Sequence, residues 1–288
     1  MRCSVHKRIV VILALHTTLG LALAEESTTD PSHDQITRLK PITATGFIER
    51  GAAHVHSQAW GDAIIDFGEA IRISSKDPEA YEWRGAAHLA KGDLTNAICD
   101  FTRAIQLRPT NATVYLNRAN AFRLNHELDK AVADLDECLR LDPQDAEALA
   151  TRADCLADKH FFGDAVDGYA KAIRVDPKNP HAYNGLAWLR ATCPLASMRD
   201  PRQAVELGRK ACQLTAWTQP PCIDTLAAAF AEAGAFDEAV KYQRQAMNMK
   251  GVSDNQRKQM HRRLSLYKQH RPYRQAHRPS KEHAAPQP

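Results

Sequence analysis

Small and bulky apolar residues recur along this chain at a spacing that predicts paired helices. Ala63, Phe67 and Ala70 stand four and three residues apart, which is the spacing of one helix face. The trio returns as Ala97, Phe101 and Ala104, as Ala131, Leu135 and Cys138, and as Ala165, Tyr169 and Ala172, at a constant step of 34 residues. Another small position precedes each trio, at Gly51, Gly85, Ala119 and Ala153, and continues as Ala187 and Ala227. The units set by this step begin at Ala44, Pro78, Ala112, Ala146, Pro180 and Pro220, and the fifth is six residues longer than the rest. Places restricted to glycine or alanine mark close approach between helices, because a larger side chain would push them apart. Each unit therefore reads as two antiparallel helices joined by a short turn.

Punctuation falls where that reading needs it. Gly92-Asp93 and Gly234 mark turns within hairpins, and Pro109, Pro143 and Pro177 close second helices. Asp77-Pro78 and Asn179-Pro180 look like an N-cap followed by a first-turn proline. Repeats in register over residues 44–250 predict an all-α fold: a solenoid of about six hairpins.

The pattern of a small residue at place 8, alanine at 20 and 27, an aromatic near 24 and proline near 32 resembles the tetratricopeptide repeat (TPR) family. The likeness runs most clearly through Ala112–Asn179. Unit 1 departs from it with Ser75 in place of proline, and units 5 and 6 put Gly208 and Gln243 at the aromatic place. The stretches from Gly185 and from Asp224 resemble a variant pair of exported bacterial TPR proteins. The family implies a right-handed solenoid whose first helices line a concave groove that binds peptides or proteins. Carried onto this chain, the groove places give Glu79 and Glu82, then Leu116, Asn120 and Arg123, then Glu147 and Asp154, then Asn184 and Trp188. Some TPR proteins clamp a terminal carboxylate with basic and amide side chains. Here Asn117 fits such a clamp, but Glu82 and Glu147 stand where cations are needed, so an acidic groove would repel that ligand.

Residues 253–268, with Met260, Leu264 and Tyr267 on one face, read as a capping helix over the last unit. Residues 25–43 are polar and read as a disordered linker. The basic segment 270–288 reads as a disordered tail.

Composition and charge refine this picture. A hydrophobic fraction of 44% and a charged fraction of 25% are those of an ordinary soluble protein. Arg2, Lys7 and Arg8 precede an apolar run that ends in Ala22-Leu23-Ala24, which predicts a cleaved secretory signal over 1–24 and a periplasmic or secreted protein. An uncleaved anchor is the alternative. The chain is net +4, with +8 from Lys250 onward and +3 in the first 24 residues, so the body between them is net −7. Such an asymmetry speaks to partners, not to fold. Arg271, Arg274, Arg278 and Lys281, interleaved with His and Tyr273, could bind an anionic membrane or envelope polymer, or fold back over the acidic body. No nucleic-acid partner is expected for an exported chain.

Cleavage would leave six cysteines, spread through helical segments without the spacing of a zinc site. Cys212 and Cys222 end one helix and begin the next, so a disulfide between them is geometrically open. Free buried thiols in place of alanine are the other reading, and the one favoured for Cys138 and Cys155. His54 and His56 lie on opposite sides of a helix and cannot chelate one metal. His54 and His88 occupy equivalent places and are expected to stack between hairpins, while His126 and His160 fall in exposed turns. Asp134 and Asp136 read as a solvated face. The sequence carries no phosphate loop, nucleophile elbow or His-Glu-x-x-His, and no cofactor is implied. The reading is a non-catalytic protein- or peptide-binding scaffold, with an envelope-associated protein tethered through its tail as the alternative.

Overall fold

The computed structural model describes residues 41–276; the leader (1–24), nearly all of segment 25–43 and the tail from 277 lie outside the described residues. Among the described residues there are thirteen α-helices, one short 3-10 helix and no strand. They divide between Gln144 and Asp145 into two compact units.

The first unit holds α1 (Ala44–His56), α2 (Trp60–Ile73), α3 (Pro78–Lys91), α4 (Leu94–Leu107), α5 (Ala112–Leu124) and α6 (Leu128–Leu141). Consecutive helices pair as hairpins, and α2 and α4 also pack on the first helix of the next hairpin. The first helices start where a side chain can satisfy an unpaired amide. Thr43 accepts from Gly46 N, Asp77 from Glu79 N and Asn111 from Thr113 N. Gly92 ends α3 with φ of 83°, a left-handed conformation that glycine adopts without steric cost.

In the first two hairpins a ring from the second helix lies on the small residue of the first. A Cβ at Gly51 would stand 2.6 Å from Phe67 Cε1, and one at Gly85 would stand 2.9 Å from Phe101 Cε1. These are closer than carbon atoms approach, so the restriction at this place comes from ring against backbone. In the third hairpin the smaller Leu135 leaves room for Ala119, and both are fully buried.

Beside each of these contacts runs a charged pair. Arg50, Arg84 and Arg118 of α1, α3 and α5 each grip an aspartate of the second helix with Nε and Nη2, the partners being Asp66, Asp100 and Asp134. The Nε–Oδ2 distance is 2.8 Å in all three, and the two-point grip fixes how far the helices can slide. Arg118 also donates to Thr102 Oγ1 of α4 at 3.0 Å, which ties the third hairpin to the second. Asp134 is thus not on a solvated face; its carboxylate is buried and committed to Arg118. Nor do His54 and His88 stack on each other: His54 Nε2 lies 3.6 Å from Asp66 Oδ2, and His88 Nδ1 lies 3.1 Å from Asp93 Oδ2.

The second unit holds α7 (Ala146–Asp158), α8 (Phe162–Val175), α9 (Pro180–Thr192), α10 (Pro201–Leu214), α11 (Pro220–Glu232), α12 (Phe236–Met247) and α13 (Asp254–Lys268). Here the aspartate place of the second helix is Gly168, and α8 comes close enough to α7 that a Cβ there would lie 3.0 Å from Ala153 Cβ. The Tyr169 ring crosses to α9, where a Cβ at Gly185 would meet Tyr169 Cε1 at 2.4 Å. The long fifth loop contains the 3-10 turn Ala196–Met198 and is pinned from both sides. Arg190 donates to Met198 O at 2.9 Å, and Arg199 donates to Cys193 O at 2.8 Å. Helix α13 opens with Ser253 and Gln256 capping each other's backbone amides, and it packs on α12 and α11 through Met260, Arg263, Leu264 and Tyr267. No described helix is long and apolar enough to cross a membrane.

The buried pairs carry a stability prediction. Asp100→Ala leaves Arg84 without its counter-charge and should lower the unfolding free energy by about 2–4 kcal/mol. Arg72→Ala, which removes only an exposed pair with Glu69, should cost under about 0.5 kcal/mol. Urea midpoints of the two variants check this, and equal midpoints would mean that the buried pair does not hold the hairpin.

Candidate functional site

The groove places fall in both units, and each unit presents its own first-helix face. In the first unit Glu79 is half-buried and accepts from Trp83 Nε1 at 3.4 Å. Glu82 is buried and accepts from Asn111 Nδ2 at 2.9 Å, so the residue that caps α5 also reaches back to α3. Leu116 is 2% exposed and fills the core, which leaves it little surface for a ligand. Asn117 is equally buried. Asn120 and Arg123 are half-buried on α5, as Glu79 is on α3.

In the second unit Glu147 and Asp154 are drawn together by a residue from the next hairpin. His181 of α9 lies between them, with Nδ1 2.8 Å from Glu147 Oε1 and Nε2 3.0 Å from Asp154 Oδ2. The other Glu147 oxygen accepts from Asn179 Nδ2 at 3.2 Å, and Asp154 Oδ1 accepts from the Tyr169 hydroxyl at 2.6 Å. Burial alone would push the imidazole down, but the two carboxylates hold it well above its ordinary value. Burial likewise pushes the Glu147 carboxyl up, and the His181 cation offsets this enough to leave it below the usual range. His181 therefore cancels one of the two negative charges on this face from within.

Further along, Asn184 is half-buried and its Oδ1 has no hydrogen-bond partner among the described residues. Trp188, also half-buried, forms one wall of an aromatic and cationic stack. The Arg263 guanidinium of α13 lies 5.4 Å from the Trp188 ring and 5.6 Å from the Tyr273 ring. Arg263 is itself held by Asp224 of α11, at 3.1 Å from Nε and 2.7 Å from Nη2, while Gln243 donates to the same carboxylate at 2.7 Å. Burial keeps the Asp224 carboxyl above its usual value in spite of Arg263 and Gln243.

Residues 270–276 follow α13 without regular secondary structure, yet they pack on this face. Tyr273 tilts against Trp188 with ring centroids 5.9 Å apart. Arg274 pairs with Glu232 at the end of α11, and the Gln275 amide donates to Thr192 O at 2.9 Å. His270 stacks on Phe236 at 5.1 Å. The start of the basic tail is therefore laid down on α9 and α11.

With this geometry in view, two family profiles place the repeats. One described as TPR repeat matches residues 87–125, and one described as tetratricopeptide repeat matches residues 112–145. The chain carries tetratricopeptide repeats. No curated protein matches it in sequence. Among solved structures it is similar to a chain of the APC/C hetero-tetramer Cut9–Hcn1, with a TM-score of 0.67 and 14% identity over 83% of this chain. The alignment spans only 45% of that longer chain. It is also similar to MamA, residues 41 to the end, from Desulfovibrio magneticus RS-1, with a TM-score of 0.53 and 18% identity over 62% of this chain and 97% of that one. At such identities the likeness is one of fold.

Much of the polar chemistry in this TPR chain escapes a reading based on groove places. The Arg50–Asp66 type of pair was visible as arginine and aspartate repeating at the step of 34, beside the small and aromatic places that drew attention first. Tyr273 and Arg274 lie beyond the repeats, and no sequence signal joins them to Asp224 and Glu232 of the sixth unit. Cys212 and Cys222 are free thiols, as are the buried Cys138 and Cys155. Burial pushes the Cys212 thiol up to about 12, with the neighbouring Cys222 adding to the shift, and pushes Cys222 up to about 11.

Two predictions arise here. The raised His181 value means that folding favours the protonated imidazole. Its stabilisation is complete below the unfolded value of ~6.5 and is lost as pH rises through the folded value. The wild-type Tm should therefore fall more steeply than that of His181→Gln between about pH 6 and about pH 9. Parallel slopes in a thermal scan would exclude His181 as the source. The second concerns the thiols. Iodoacetamide at about pH 8 should modify exposed Cys99 in the folded chain and spare Cys212 and Cys222, because a buried thiol supplies little thiolate. Peptide mapping reads this out, and a joined Cys212–Cys222 peptide would instead establish the disulfide.

Proposed function

We propose that this TPR protein is a non-catalytic scaffold that binds an extended protein or peptide segment on the first-helix faces of its units. One observation carries the reading: the face of α9 and α11 already holds an irregular stretch of polypeptide, Tyr273–Gln275, by ring contact, ion pairing and a backbone hydrogen bond. A surface that accepts an irregular segment in this way is suited to accept one from another chain. The Cut9–Hcn1 chain, similar in fold, comes from a hetero-tetramer, which is in keeping with an interaction role. The leader-like residues 1–24 support an extracytoplasmic setting, periplasmic or secreted, for this scaffold.

The first unit offers Glu79, Asn120 and Arg123 to a partner, and the second offers Asn184 and Trp188. The test is selection from a displayed peptide library on the full chain. Selected peptides should lose at least about tenfold in affinity on Asn120→Ala with Arg123→Glu, or on Trp188→Ala. Exposed Lys171→Glu, on second helix α8, should leave affinity unchanged. Failure to select any peptide, or selected peptides indifferent to both face variants, would exclude the reading.

A further inference from the structure

The tail segment is bound as a ligand would be, and its contacts specify what kind of segment the α9 and α11 face accepts. Three features do the recognising. Trp188 and Arg263 form a slot in which an aromatic ring sits against an indole and a guanidinium, and Tyr273 fills it. Arg263 is fixed before any ligand arrives, since Asp224 accepts from its Nε and Nη2 and Gln243 steadies Asp224. Next to the slot, buried Glu232 receives Arg274 and is oriented by Arg199, whose Nε lies 3.1 Å from Glu232 Oε1. The third feature reads main chain only. Thr192 O lies in the last turn of α9, where carbonyls lack an intrahelical partner, and it accepts the Gln275 amide.

These features are met in order along one short irregular stretch: ring, guanidinium, backbone amide. We propose that Tyr273-Arg274-Gln275 is an internal ligand, and that the face it covers binds a partner's extended segment carrying an aromatic residue followed directly by arginine. The inference rests on the peptide-binding reading above and adds the partner chemistry and its regulation. The partner must displace the tail, so the chain is held closed until a segment of this type competes.

Several details make the tail displaceable instead of a fixed part of the core. It has no regular secondary structure, and the Arg274 side chain is 35% exposed while its partner Glu232 is 8% exposed. The receptor side is buried and braced, whereas the ligand side is half-wet. Only a few residues separate the end of α13 at Lys268 from Tyr273, so the tethered segment acts at an effective concentration in the millimolar range. An intrinsically weak contact then suffices to keep the face mostly occupied, and the apparent affinity for a competitor falls by the fraction of open face.

The probe is a fluorescein-labelled synthetic peptide with the sequence of His270–Ala276, followed by anisotropy against the full chain. Wild type should bind it weakly. The full-length variant Tyr273→Ala with Arg274→Glu frees the face and should bind it at least about tenfold more tightly. Adding Trp188→Ala or Glu232→Gln to the freed variant should return affinity to the wild-type level or below. Trp188→Phe, which keeps a ring in the slot, should retain most of the gain, and circular dichroism confirms that each variant is folded. Equal binding by wild type and the freed variant, no binding by either, or binding indifferent to Trp188→Ala overturns the internal-ligand proposal. If library-selected peptides still depend on Asn120 and Arg123 in that event, the scaffold reading survives and only the tail's role is lost. If neither probe binds, both fail.

Discussion

In the first two hairpins a phenylalanine of the second helix lies on a residue of the first that has no side chain at all, and the rest of the architecture is arranged around that contact. Phe67 on Gly51 and Phe101 on Gly85 set the distance between paired helices, because ring thickness is incompressible and the backbone beneath it cannot retreat. Once that distance is fixed, the residues beside the contact come within reach of a charge-assisted pair, as Arg50–Asp66 and Arg84–Asp100. Apolar contact thus sets the spacing while the paired ions set the register. Neither alone gives a hairpin of constant shape, and constancy is what lets a repeat stack on its neighbour.

The second unit reaches a similar end by other means. With Gly168 in place of the aspartate, the two-point grip is gone, and α7 and α8 close on each other directly. Polar contacts move to the face of the first helices, where Glu147, His181 and Asp154 bridge adjacent hairpins. Asp224, Arg263 and Gln243 then join α11 to the second helix of its own hairpin and to α13. Carboxylates that look like ligand-seeking groups in sequence are largely consumed by this internal bonding. The body's negative charge therefore overstates the acidity of the face, and what remains for recognition is a short set of groups: indole, amide and the one carboxylate of Glu232.

The paired-helix pattern was legible because close packing restricts residue size at fixed intervals, and size restriction is visible in a single sequence. The first helices begin at Ala44, Pro78, Ala112, Ala146 and Pro180, where the step of 34 places its units, and at Pro220 after the longer fifth unit. The polar side was less legible. Whether Asp134 faces water or Arg118 depends on the rotation of α6 against α5, and composition does not report rotation. Glu82 and Leu116 occupy groove places by register, yet neighbouring first helices cover them, since adjacent hairpins pack through the same face that lines a groove. The tail could not be read at all by periodicity. Its contacts join residues 273–275 to α9 and α11 some forty to eighty positions away, and the segment itself lies beyond the repeats.

A stack of repeats always exposes the apolar flank of its last member, and that flank must be covered by something that does not itself propagate the stack. Helix α13 does this with Met260, Leu264 and Tyr267 on its buried side and a charged opposite side. The buried Arg263 is out of place in such a helix unless its charge serves a purpose. Asp224 neutralises it from one side, but two aromatic rings lie over its plane, and one of them belongs to the tail. An arginine stacked in this way is shielded from water while Tyr273 is present and partly uncovered when it leaves. The terminal cap and the ligand-binding slot are thus built from the same residue, so that occupancy of the slot by tail or by partner also completes the end of the stack. Coupling of that kind favours an occupied face at all times, and it explains why the chain would carry its own substitute for a partner.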